Sequence, residues 1–126
     1  VQRHCYGLMA ELAATPDAQA KFRQIGSEQV AWLANLTDQF GQRVTMPREF
    51  VIPGDTLADA ALDMARTAVR RAERCVSRLM ADDLIENTDI IGYLNRLSSL
   101  LFVLGRYVVA QTSQNPMTFA KQRLPE

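Results

Sequence analysis

Histidine is almost missing from these 126 residues, with His4 alone, and cysteine is scarce, with Cys5 and Cys75 far apart and no C-x-x-C spacing. Together these absences argue against a zinc or iron site built from protein ligands. Both cysteines read as small apolar residues at or near a core, which fits a reducing cytoplasm. Long hydrophobic runs are also lacking. The longest purely apolar stretch, Leu100–Leu104, is far too short to span a bilayer, and the front shows no secretory signal pattern. Net charge is lacking as well. Fourteen Lys and Arg cancel fourteen Asp and Glu, so the overall field draws neither nucleic acid nor an anionic membrane. The expectation is a soluble cytoplasmic protein.

What is present is a large apolar fraction, 48% of the chain. It suits one domain with a single core and leaves no room for a second. Twelve of the fourteen basic residues are arginine, and five of them lie between Arg66 and Arg78. The planar guanidinium fork suits carboxylate or phosphate oxygens, so the clustering points to an oxyanion partner. Base composition of the genome would explain the total, but not the clustering.

Apolar residues recur with helical period in four segments, and no strand-like alternation of useful length occurs. The first segment spans about Gln2 to Ala14, with Cys5, Leu8, Met9 and Leu12 inward. Thr15-Pro16-Asp17 stops it and opens a short helical turn through Ala20 and Phe22. Gly26-Ser27 then starts a helix to about Gln42, with Val30, Leu33, Leu36 and Phe40 as its buried stripe. Pro47, Pro53 and Gly54 make 43–56 an ordered loop with Phe50-Val51-Ile52 as an apolar plug. The third long helix runs from Thr56 or Leu57 to about Met80, its core side read as Ala61, Ala65, Ala68, Ala72, Cys75, Val76 and Leu79. Asn87 or Thr88 caps the fourth, which ends near Gln111 with Ile90, Leu94, Leu97, Leu101, Leu104 and Val108 inward. The expected fold class is all-α: an up-and-down helical bundle of four long helices over residues 1–111, followed by an extended tail over 112–126.

On the third long helix Arg66, Arg70 and Glu73 fall within roughly 60° of one another at about 100° per residue, away from the alanine stripe. Arg71, Arg74 and Arg78 widen this ridge. On the fourth, Asn95, Ser99 and Arg106 share a face turned from the leucines, with Phe102 on its flank. An Arg/Glu ridge is commonly a solvated surface. Four arginines within nine residues repel one another unless an anion or acidic partner sits among them, which favours a triphosphate or a neighbouring subunit.

Three ordered stretches resemble signatures of the propanediol-utilisation (PduO) type of ATP:cob(I)alamin adenosyltransferases. They are Phe50-Val51-Ile52-Pro53-Gly54, then Ala65-Arg66-Thr67-Ala68-Val69-Arg70-Arg71-Ala72-Glu73-Arg74, then Tyr93-Leu94-Asn95-Arg96-Leu97-Ser98 with Leu101-Phe102-Val103-Leu104. The resemblance covers Val1 to Val109. It implies a trimer of helical bundles with sites between subunits, which transfers the 5'-deoxyadenosyl group of ATP to cob(I)alamin with Mg2+ and releases triphosphate. It implies Arg66, Arg70, Glu73 and Asn95 as the ATP-binding residues, and Phe50 and Phe119 as the corrinoid-binding ones. Arg70 and Phe50 are the expected catalytic residues, and no protein-held metal is expected. Phe50 would occupy the lower corrin face and keep the axial base off the cobalt; its other reading is a loop anchor tucked against the bundle. A flavin-type reductase is the implied electron source.

The sequence departs from that family pattern in several places. The family's Thr- and Gly-rich phosphate-wrapping strand and first helix are not among these residues. Because a missing helix would bare a long apolar groove, they are expected to precede Val1, which itself lies within a helix without an initiator methionine. Asp55 stands where P-G-G is usual, Asp63 replaces a histidine and is placed to salt-bridge Arg66, and Ser99 replaces an aspartate. Two rival readings remain: a corrinoid-binding or corrinoid-delivering module that does not use ATP, and a structural trimeric bundle. A ferritin-like metal protein would need paired Glu-x-x-His ligands, which the sequence does not have.

Overall fold

The computed structural model describes residues 1–112 and 117–121. The chain forms α1 (Gln2–Ala13), a single turn α2 (Gln19–Phe22), α3 (Ser27–Gly41), α4 (Leu57–Ala81) and α5 (Asp89–Thr112). Four long helices and one short turn match the sequence reading, with ends moved by a residue or two. The tail expected over 112–126 falls partly outside the described residues.

Local chemistry sets the helix ends. Thr56 caps α4 by accepting the Asp59 amide at 3.0 Å. Asp83, at φ 56°, takes the left-handed turn that ends it. Asn87 accepts the Asp89 amide at 3.2 Å and starts α5. At α3 the Gln29 side chain reaches back to the Gly26 amide at 2.9 Å. The short turn expected after Thr15-Pro16-Asp17 forms as α2, which starts after Ala18 without a side-chain cap.

α5 is the axis of the bundle, lying between α3 and α4. Tyr93, Leu94, Leu97, Leu100, Val103 and Val109 are all buried, so its apolar surface runs nearly all round rather than as one leucine stripe. Leu33 from α3, Val76 from α4 and Leu8 from α1 close onto it. On α1 the inward face is Gly7, Leu8 and Glu11, whereas Met9, expected inside, is 58% exposed.

The reading of α4 needs the largest correction. Ala61, Ala65, Ala68, Ala72 and Cys75 are exposed, and the side toward the bundle is Asp59, Leu62, Arg66, Val69, Glu73, Val76 and Met80. These alternate by three and four residues, the spacing of a helix seam. Alanine fits either side of a helix, so the stripe carried no direction. Arg66 and Glu73, expected on a polar ridge away from the core, lie on this inner face.

Charge is buried at one end of that seam. Arg106 of α5, expected on an open polar face, is 2% exposed and donates from Nη2 to Oδ1 of Asp59, itself 1% exposed, at 2.5 Å. Its guanidinium lies over the Phe102 ring, 5.6 Å from the centroid. Gly105 leaves room for this pair, since a Cβ there would meet Asp59 Oδ1 at 2.6 Å. A second buried carboxylate, Glu11, accepts from Asn87 Nδ2 at 2.9 Å and ties α1 to the start of α5. His4 Nδ1 lies 3.1 Å from the hydroxyl of Tyr93, and burial, with a smaller contribution from Cys5, pushes that phenol up to about 12.

Two outcomes follow from these burials. Arg106→Met strands the Asp59 carboxylate and is expected to cost about 3–5 kcal/mol in urea unfolding, with part recovered when Asp59→Asn is added. The folded state keeps the Tyr93 proton after an unfolded phenol, with a pKa of about 10, has lost it. Tyr93 therefore leaves stability unchanged below about pH 10, and lowers it as pH rises toward 12. Denaturant titrations of the chain and of Tyr93→Phe across that range measure the difference.

Candidate functional site

α4 and α5 run antiparallel, and three pairs mark their register. Asp59 meets Arg106 at the buried end, Arg66 and Phe102 share the walls of one cleft, and Glu73 meets Asn95 at the outer end. The seven-residue spacing of Asp59, Arg66 and Glu73 places all three on the α5 side of α4. The seam thus changes from closed and structural to open and polar along its length.

At the open end Glu73 connects the predicted residues. Its Oε2 accepts from Arg70 Nη1 at 2.5 Å and its Oε1 accepts from Asn95 Nδ2 at 3.1 Å. Glu73 keeps 13% side-chain exposure while Arg70 keeps 46%. One half-buried carboxylate therefore orients a solvent-facing guanidinium on one helix and a carboxamide on the next. Ser99 Oγ donates to the Asn95 carbonyl at 3.2 Å. Arg66 pairs through Nε with Asp63 Oδ1 at 2.7 Å, the salt bridge expected of that aspartate.

The other arginines separate from this group. Arg71 and Arg74 line a different surface hollow with Met64, Thr67 and Ala68. Arg71 lies more than a third of a helical turn from Arg66, so the wider ridge expected from the sequence is divided between two faces.

A cleft of about 560 Å³ is lined by Pro47, Arg48, Glu49, Phe50, Val51, Arg66 and Phe102. Phe50, expected as part of an apolar plug or as a loop anchor, is 85% exposed. Its ring is not tucked into the bundle. Backbone hydrogen bonds hold the segment instead: Ile52 N–H donates to Thr118 O and Ala120 N–H donates to Phe50 O, both at 2.8 Å. These bonds frame an antiparallel bridge between Val51 and Phe119. Because side chains alternate across a ribbon, Val51 and Phe119 share one face, and Phe50 takes the other with Ile52. Phe119 and Phe50 are thus neighbours along the backbone but not side by side.

Gly54 turns the chain from this ribbon into α4. Its φ of 118° is open to glycine and strained for other residues, and its amide donates to Asp59 Oδ2 at 2.8 Å. The carboxylate paired with Arg106 therefore also fixes the base of the Phe50 loop. Sequence reasoning missed Asp59 as a site element. The only available signal was an acidic residue three positions after a Thr cap, which ordinarily means helix-end chemistry and no more.

Among the described residues no group of three or more His, Cys, Asp or Glu side chains is placed to hold a metal ion. No helix among them is long and apolar enough to cross a membrane. Both cysteines are free thiols.

Comparison with known proteins gives this geometry a family. A corrinoid adenosyltransferase of Citrobacter freundii is 37% identical over 107 residues, covering 84% of this chain and 60% of that protein. An arginine-to-lysine variant of a PduO-type adenosyltransferase from Lactobacillus reuteri, solved with ATP, superposes with a TM-score of 0.81 at 31% identity, covering 95% of this chain and 66% of that one. A phenylalanine-to-alanine variant from the same organism, solved with cobalamin and ATP, superposes with a TM-score of 0.70 at 32% identity over 80% of this chain and 55% of that one. The chain spans between 34% and 63% of the length of the first curated relatives it matches. The family model described as cobalamin adenosyltransferase matches residues 1–108, and with the shared helical fold and the seam of α4 and α5 in place, the chain belongs to the cobalamin adenosyltransferase family.

Proposed function

We propose that these residues form part of an ATP:corrinoid adenosyltransferase site that moves the 5'-deoxyadenosyl group of ATP onto the cobalt of cob(I)alamin. The observation that carries this reading is the single cleft with Phe50 and Phe102 on its walls beside Arg66, one turn from the Arg70–Glu73–Asn95 group. An apolar, aromatic wall for a macrocycle adjoins guanidinium groups for a polyphosphate. A further coincidence supports it. The phenylalanine and the arginine varied in the Lactobacillus reuteri protein stand twenty positions apart, as Phe50 and Arg70 do here.

In this reaction the cobalt(I) electron pair attacks C5' of the ribose, the new Co–C bond forms as the C5'–O bond breaks, and the bonding pair leaves with triphosphate. The protein needs no acid or base at the reacting carbon. It positions two large reactants in line and offsets charge that grows on the leaving oxygen. Arg66 and Arg70 take the triphosphate, Glu73 holds Arg70 and Asn95 in place, and Asn95 holds the nucleotide. Mg2+ enters as the counter-ion of ATP. Phe50, held outward by its ribbon, lies against the lower corrin face and excludes an axial ligand, which eases reduction of Co(II) to Co(I). We place Phe119 at the same corrinoid pocket, where the pleat lets it act by packing behind the ribbon rather than by stacking beside Phe50.

The wider setting belongs to the same proposal. A homotrimer with sites between subunits is supported by the exposed alanine stripe of α4 beside Met64, which is 73% exposed and would allow close approach of another helix. The free thiols suit the cytoplasm, and a flavin-type reductase would supply the electron for Co(I).

Single-turnover conversion of chemically reduced cob(I)alamin with MgATP, followed by loss of the cob(I)alamin absorbance, is the test. Arg70→Ala is expected to slow conversion about 100-fold or more. Phe50→Ala is expected to have its larger effect when the reaction starts from cob(II)alamin and a reductant, because its role precedes the transfer. Cobalamin binding without any conversion would instead support the corrinoid-binding module.

A further inference from the structure

Phe50 raises a physical problem that the proposed reaction does not solve. A ring with 85% exposure gains almost nothing from its own side-chain packing, so the backbone must hold it. One side of the loop is fixed by Gly54 on Asp59. The other side is the antiparallel bridge of Val51 to Phe119, and one isolated bridge is weak in water.

Asp55 reinforces that bridge. Its Oδ2 accepts the Thr118 amide at 3.1 Å and its Oδ1 accepts the Thr118 hydroxyl at 2.6 Å, so one carboxylate takes both donors of one residue. Thr118 O simultaneously accepts the Ile52 amide. Thr118 is thereby bonded to the loop on both sides of the Pro53–Gly54 turn. Asp55 is half-buried and forms charge-assisted hydrogen bonds, which are stronger than neutral ones.

We propose that Asp55 is a positioning residue for the corrinoid side of the site, clipping residues 117–121 onto the loop so that Phe50 is presented at a fixed place while its ring stays free to meet the ligand. The proposal rests on the corrinoid reading of the cleft. Asp55 itself touches neither reactant. Its effect reaches the ligand through the Ile52–Thr118 and Ala120–Phe50 backbone bonds.

The test uses the full chain with Asp55→Ala, Asp55→Gly, Thr118→Val and the conservative Asp55→Asn. Hydrogen exchange at the Ile52 and Ala120 amides reads the clip with no ligand present. Steady-state assays then give KM separately for corrinoid and for MgATP. Asp55→Ala is expected to speed exchange at both amides and to raise the corrinoid KM by roughly tenfold, the equivalent of one or two lost hydrogen bonds, with the MgATP KM unchanged. Asp55→Asn, which keeps one acceptor, should recover part of both effects. Unchanged exchange would overturn the clip. Faster exchange with an unchanged corrinoid KM would overturn the positioning role, as would an equal rise in both KM values. Failure of the unsubstituted chain to bind any corrinoid would overturn the underlying reading of the cleft together with this proposal, and is told apart because it needs no substitution to appear.

Discussion

The carboxylate of Asp59 is the constraint on which the site end of this bundle depends. Out of contact with water, it must find donors, and it takes them from two directions: Nη2 of Arg106 on α5 and the amide of Gly54 at the foot of the Phe50 loop. Its own amide is bonded to Thr56 and starts α4. Three things therefore meet at one residue: where α4 begins, through its amide, and how close α5 approaches at Gly105 and where the loop leaves the bundle, through its carboxylate. Nε and Nη1 of Arg106 have no hydrogen-bond partner among the described residues, so the aromatic face of Phe102 is the guanidinium's other support. Such a pair is a costly way to gain stability. Its value here lies in fixing direction.

Much of this was legible from the chain, for physical reasons that differ between its parts. The helices were readable because Thr56, Asn87, Gly26 and the prolines punctuate a strong apolar period. Helical spacing groups Arg70 with Glu73 on one face, and the family resemblance adds Asn95; the bond between Glu73 and Asn95 appears only in the structure. What failed was direction. On α4 the alanines, small enough for either side, read as the core stripe and the Arg/Glu ridge as lying away from it, whereas the alanines are exposed and Arg66 and Glu73 lie on the side toward the bundle. Arg106 was misplaced by the same rule, since nothing local to it announces a partner 47 residues away. Met9 shows the complementary failure, an apolar residue left outside while Glu11 goes in to meet Asn87. The Phe50 loop was recognised by its residues, but its exposure depends on backbone pairing with a segment that sequence periodicity does not report.

One helix seam thus divides into two ends with different tasks. At the closed end, Asp59 and Arg106 exclude water and hold geometry. At the open end, Glu73 leaves Arg70 and Asn95 oriented but accessible, an arrangement that favours a ligand over packing. On the proposed function this division has a purpose, since large reactants that meet in line need groups already in place before they arrive.

The most direct measurement of that division is on Glu73→Gln, combining calorimetric titration with MgATP and urea unfolding of the same protein. The account predicts an affinity for MgATP lowered by roughly tenfold, with the unfolding free energy changed by no more than about 1 kcal/mol, because the pair it breaks is largely solvated on the arginine side. A loss of several kcal/mol in stability with MgATP affinity retained would contradict it, and would make Glu73 a packing element like Asp59.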